Sequence, residues 1–178
     1  MSVDWKPMSR PASIASVTGA LAFMGWVAAR NNQFMFLDYM NLAFHEFGHL
    51  FFCCAGSVLG IMGGTIAQVV TPAGLAFLFA MRGDIPGTGF CALWTGQSLI
   101  NVSVYIADAR RMVLPLVGGG EHDWHLLLGR FGLLESDAVI AVGFKVLGWF
   151  VMIAALAWLA FAAHRSRQER EKNQGAEA

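Results

Sequence analysis

Apolar residues fill five long runs of this chain, and most polar positions fall between them. Ser13 to Ala29, Thr65 to Met81 and Phe90 to Ala107 are uncharged. Ala138 to Ala163 carries only Lys145, and Phe34 to Ile61 is apolar apart from Asp38, His45, Glu46 and His49. A helix that crosses a bilayer needs about 20 apolar residues, with a range of roughly 17–25. The second and last runs meet that length with ease. Thr65–Met81 is marginal, and Pro72 with Gly74 interrupts it near the middle. Backbone freed at membrane depth must be covered by protein or a wet cavity, so a broken or re-entrant helix is expected there. The pattern predicts an all-α polytopic membrane helix bundle of four to five segments, forming one domain over 1–163. The charged tail over 164–178 reads as a frayed extension.

Composition narrows the class. The chain has 178 residues, 56% apolar and 13% charged, against about 45–50% and 25% in soluble domains. That balance argues against a water-soluble globule and more strongly against a disordered chain. Twelve basic and twelve acidic residues cancel, so no overall field favours nucleic acid. Cys53, Cys54 and Cys91 lie in apolar runs, and the adjacent pair suggests no disulfide framework, so all three read as reduced core thiols. The first run, at 17 residues, exceeds the roughly 7–15 of a cleaved leader's apolar region and reads as a retained helix.

Basic residues orient the bundle. If Thr65–Met81 dips in and returns, both termini share a face with Arg82. That face gathers seven cations (Lys6, Arg10, Arg82, Arg165, Arg167, Arg170, Lys172) against four (Arg30, Arg110, Arg111, Arg130). Five full spans give five against six instead. The first layout suits the excess of basic residues on cytoplasmic loops and puts both termini in the cytoplasm.

The chemistry lies in Asn41-Leu42-Ala43-Phe44-His45-Glu46-Phe47-Gly48-His49. Residues four apart on a helix lie one above the other, so His45 and His49 aim two imidazoles at one point. Glu46 flanks that point, placed to take a proton from an activated water. Two imidazoles and a carboxylate suit zinc and leave a position open. Ionisable groups inside an apolar helix are expensive and usually face a functional cavity; their structural alternative is hydrogen bonding between packed helices. For the third zinc ligand the sequence offers Asp108, at the end of Asn101–Asp108, and His122, in Glu121-His122-Asp123-Trp124-His125 after Gly118-Gly119-Gly120. His125 reads as a supporting or surface residue. The five glycines of 56–74 suit close helix packing, with an irregular edge for an extended substrate as the other reading.

These residues resemble the site-2 protease class of intramembrane zinc metalloproteases. The match is the HExGH helix at His45–His49, followed two apolar segments later by Asn101 through Asp108. The class motif is N-x-x-P-x-x-x-x-D-G. Here Asn101 and Asp108 stand one residue closer, the proline is missing, Ala109 replaces the glycine, and no PDZ-like insertion is present. The resemblance implies His45, His49 and Asp108 as zinc ligands and Glu46 as the catalytic base. The chain also resembles a group of small bacterial inner-membrane proteins that combine HExGH with a Tyr-Ile-Ala-Asp-Ala-Arg stretch and a Glu-His-Asp-Trp block. Here those are Tyr105–Arg110 and Glu121–Trp124. This implies a bacterial cytoplasmic-membrane protein with a metallopeptidase-like core.

The expected function is therefore zinc-dependent hydrolysis of peptide bonds in membrane-embedded protein or peptide substrates. Two other readings stand beside it. One is a non-catalytic membrane protein whose zinc fixes helix packing, closed by Asp108 and His122 together. The other is a metal-free helix bundle that binds a partner protein.

Overall fold

The computed structural model describes residues 3–30, 33–117 and 121–176. Its elements are α1 (Arg10–Ala29), α2 (Phe36–Phe52), α3 (Ser57–Met81), α4 (Ile85–Ala107), α5 (Asp123–Arg130), a 3-10 turn at Leu134–Ser136, and α6 (Asp137–Ala176), with no strand among the described residues. Four of these helices, α1, α3, α4 and α6, are long and apolar enough to cross a membrane, so the chain is an integral membrane protein.

The central helix is α4. It packs against α3 on one side and most extensively against α6 on the other, while α1 lies on α6 and α4, and α2 on α3. Lipid tails are as apolar as leucine, so helices in a bilayer associate through close van der Waals approach and polar pairs. Both devices are present. Gly96 of α4 faces Gly148 of α6 so closely that a Cβ on either would lie 2.6 Å from the other's carbonyl oxygen. Gly63 of α3 meets Gly48 of α2 in the same way, with a Cβ on Gly63 falling 2.7 Å from the Gly48 oxygen. The glycines between 56 and 74 thus serve close packing, and the regular α3 leaves no irregular edge there.

Two of the runs exchange their expected roles. Phe34–Ile61 is not one span. It divides at Cys53–Gly56, where Gly56 takes φ 97°, a backbone that side chains with a Cβ rarely adopt. Its first part, the 17-residue α2, is roughly 25 Å long, short of the roughly 30 Å hydrocarbon core. The N-terminal end of α2 meets the middle of α4, where Asn41 Nδ2 donates to Gln97 Oε1 at 2.9 Å. Its C-terminal end meets the start of α3, where His49 Nδ1 donates to the Gly60 carbonyl at 2.9 Å. The partial span is therefore α2. By contrast, Thr65–Met81 belongs to an unbroken 25-residue helix with Pro72 inside it. Pro72 has no N–H for the Gln68 carbonyl, and Ser98 Oγ of α4 fills that place by donating to the Gln68 oxygen at 3.1 Å.

One short and four full helices give the same parity as the layout favoured by the cations. The Lys6 N–H donates to the Gly83 carbonyl at 3.1 Å, and the Met8 N–H to Ser166 Oγ at 3.0 Å. The chain start, the α3–α4 turn and the charged part of α6 thus share one end of the bundle. The segment read as a frayed extension continues α6 as helix to Ala176. Arg170 reaches the Met8 carbonyl, and i,i+4 pairs link Arg165 to Glu169 and Arg167 to Glu171. All three cysteines are free thiols and Cys91 is buried, as expected, whereas Cys53 and Cys54 are exposed in the α2–α3 turn instead of the core.

A buried polar network fixes the start of α2. Asp38 Oδ2 accepts from the Met35 N–H at 2.7 Å. Asp38 Oδ1 accepts from Gln97 Nε2 at 2.6 Å and Asn41 Nδ2 at 3.3 Å. Asn41 Oδ1 accepts from Trp94 Nε1 at 2.8 Å. Asp38, Asn41 and Gln97 are all buried. Such groups stay at membrane depth only when their hydrogen bonds are met, and a fully connected network holds a single arrangement.

Candidate metal centre

The helical spacing of His45 and His49 brings their Nε2 atoms to 3.1 Å from each other. The carboxylate that meets them is Asp123, at the first turn of α5. Its Oδ2 lies 2.9 Å from His45 Nε2 and 3.2 Å from His49 Nε2. His45 is buried, and His49 and Asp123 are half-buried.

The other ring nitrogens are already committed. His49 Nδ1 faces the Gly60 carbonyl at 2.9 Å. A carbonyl only accepts, so Nδ1 carries the proton. His45 Nδ1 faces Gln68 Oε1 at 3.3 Å, and Gln68 spends its amide Nε2 on Asn101 Oδ1 at 2.8 Å. That bond turns the Gln68 oxygen toward the imidazole. In the neutral state both histidines therefore present a lone pair at Nε2, and Asp123 Oδ2 adds a third acceptor. Three acceptors then converge on one point, an arrangement that repels itself unless a proton on an imidazole or a metal cation stands there. Partners on the far nitrogen that fix tautomer and ring orientation are the usual support of metal-binding histidines.

The spacing suits zinc. Bonds of about 2.0–2.1 Å at tetrahedral angles separate ligand atoms by about 3.3 Å, close to the 2.9–3.2 Å seen here. Gly64 of α3 makes room, since a Cβ there would lie 2.6 Å from both Nε2 atoms.

Glu46 is half-buried and lines the cavity that His45, His49 and Asp123 also line. This cavity has a volume of about 1050 Å³ and runs from the end of α1 and the start of α2 across α4 to Lys145 and Trp149 of α6. Leu114, Pro115, Leu116 and Val117 from the segment after α4 also contribute to its wall. Arg30 and Lys145 bring positive charge to the same space.

Asp108 and His122, the sequence candidates for the third ligand, stand apart from this point and beside each other, with His122 Nε2 3.6 Å from Asp108 Oδ2. Asp108 is spent locally, and His122 uses Nδ1 locally while its buried Nε2 has no hydrogen-bond partner among the described residues. Asp108 accepts from the Val113 N–H at 3.1 Å and the Leu114 N–H at 2.9 Å, which folds the 112–117 segment over the cavity. His122 is the N-cap of α5, its Nδ1 accepting from the His125 N–H at 3.2 Å. Its ring stacks on Tyr105 at 4.1 Å. Burial pushes the His122 imidazole below the ordinary histidine pKa, with nearby Asp108 partly opposing it. His125 supports the same turn, its Nδ1 facing the Ala109 carbonyl at 2.8 Å. Gly118-Gly119-Gly120, which precedes this block, lies outside the described residues.

Of the block Glu121–His125, the residue that meets the two imidazoles is Asp123, which sequence reasoning did not single out. The available signal was the face of α5. Asp123 and Leu126, three apart, both line the cavity, whereas Trp124, Leu127 and Leu128 are buried in the core.

Comparison with protein-family models, with curated proteins and with solved structures finds no match for this chain.

Proposed function

We propose that the protein is a zinc-dependent intramembrane peptidase, with His45, His49 and Asp123 as the metal ligands and Glu46 as the general base. The observation that carries this reading is the convergence of three acceptor atoms at 2.9–3.2 Å, with both Nδ1 atoms already occupied. A zinc ion held there supplies a Lewis acid that makes water acidic near neutral pH and polarises a carbonyl. Three protein ligands beside an open cavity favour a catalytic over a closed structural site, which takes four.

Glu46, one residue on from His45 and facing the same cavity, removes the proton from water as its oxygen bonds the peptide carbonyl carbon. The same carboxyl then delivers that proton to the leaving nitrogen as the C–N bond breaks. The cavity lies among membrane helices, so the substrate is an apolar peptide or a membrane helix locally unwound to expose a peptide bond. Seven cations at the end holding both chain ends favour that end in the cytoplasm of a bacterial cell.

The test is hydrolysis of a self-quenched apolar peptide in detergent micelles by zinc-loaded protein. Wild type should cleave it, and Glu46→Gln should keep zinc and lose cleavage. Cleavage retained in Glu46→Gln would remove Glu46 as the base.

A further inference from the structure

We infer that Tyr105 is a further catalytic residue, whose hydroxyl donates a hydrogen bond to the scissile carbonyl oxygen as that oxygen takes on negative charge; this rests on the hydrolytic reading above. Tyr105 sits in the last turn of α4 and lines the cavity with Glu46 and the three candidate ligands. Its hydroxyl oxygen accepts the Asp123 N–H at 3.2 Å. Its own proton has one long acceptor among the described residues, Asp123 Oδ2 at 3.5 Å, beyond the roughly 2.5–3.0 Å of an ordinary O–H···O bond. The hydroxyl is thus held by what it accepts and only weakly committed in what it donates.

The ring cannot swing away. It stacks on His122 at 4.1 Å and meets the His45 ring edge-on at 5.8 Å. A phenol keeps its proton at neutral pH. A fixed, neutral donor beside the place where charge develops favours the transition state over the ground state. Gln68, the amide that faces His45, is committed at both ends, to His45 and to Asn101.

A positioning role for Tyr105, through its bond to the Asp123 N–H, predicts different results, and the test separates the two. Zinc-loaded wild type, Tyr105→Phe and Glu46→Gln are compared with two probes, an N-phosphoryl dipeptide and acetohydroxamic acid. The tetrahedral phosphoryl anion resembles the charged carbonyl oxygen, whereas the hydroxamate is a planar chelator. Tyr105→Phe should keep the wild-type zinc content and hydroxamate Kd, and bind the phosphoryl dipeptide roughly tenfold more weakly. Its kcat on the micellar peptide should fall by roughly 10²-fold with KM little changed. Unchanged phosphoryl-dipeptide affinity overturns the assignment. Loss of zinc in Tyr105→Phe also overturns it, by making the residue a positioner of Asp123. If wild type binds neither probe and cleaves nothing, the hydrolytic reading fails and the assignment falls with it. If Glu46→Gln cleaves as wild type does, only the base is wrong, and the phosphoryl comparison still decides Tyr105.

Discussion

Ser98 donates its hydroxyl to the Gln68 carbonyl, the carbonyl that Pro72 leaves without an amide partner. One hydroxyl on α4 thereby lets α3 pass through a proline unbroken and fixes the residue that orients His45. Ser98→Ala should cost about 1–3 kcal/mol, because it leaves a buried carbonyl unpaired. The substitution Pro72→Ala restores the missing N–H, so Ser98→Ala should cost much less in that background. Thermal unfolding of wild type, the two single variants and the double variant in detergent gives the coupling. Simple additivity would show that the hydroxyl does not replace the proline's absent donor.

The space for the cation depends on Gly64. Alanine is favoured over glycine inside a helix by about 1 kcal/mol, so propensity predicts a harmless Gly64→Ala. The geometry predicts otherwise for zinc, since the new methyl would lie 2.6 Å from both imidazole nitrogens. Helix content by circular dichroism should stay at wild type while zinc affinity falls at least tenfold. Unchanged affinity would mean that the imidazoles meet the metal elsewhere.

Asp108 is a loop anchor in this account. Asp108→Ala should retain zinc, lose about 1–3 kcal/mol of stability, and speed hydrogen exchange at the Val113 and Leu114 amides that it now binds. Zinc loss with unchanged exchange at those amides would return Asp108 to the ligand set.

The network under α2 makes a separate stability prediction. Asn41→Leu strands the Trp94 indole N–H and breaks one bond to Gln97. Each buried polar group left unpaired costs about 1–3 kcal/mol. A marked drop in thermal midpoint is expected, and a wild-type midpoint would show that the network contributes nothing to the bundle.

The elements that local sequence controls were legible, and those set by long-range closure were not. His45 and His49 fall on one face from their spacing alone, and the apolar runs mark four crossing helices. The boundary between α2 and α3 depended on Gly56 taking a positive φ inside an apolar stretch, which hydropathy does not register. Pro72 signalled a break that Ser98, on the next helix, prevents through its bond to a carbonyl 30 positions away in sequence. Asp123 reaches His45 across 78 positions, and only the direction in which α5 starts decides whether it or His122 faces the cavity. His122 reads as a ligand by residue type, but its Nδ1 caps α5.

The central claim is a cation held by His45, His49 and Asp123, and zinc content per chain tests it most directly. Detergent-purified wild type and Asp123→Ala, each equilibrated with zinc and desalted, should carry about one zinc and about none. A wild type without zinc, or an Asp123→Ala protein that keeps it at wild-type content, would contradict the account.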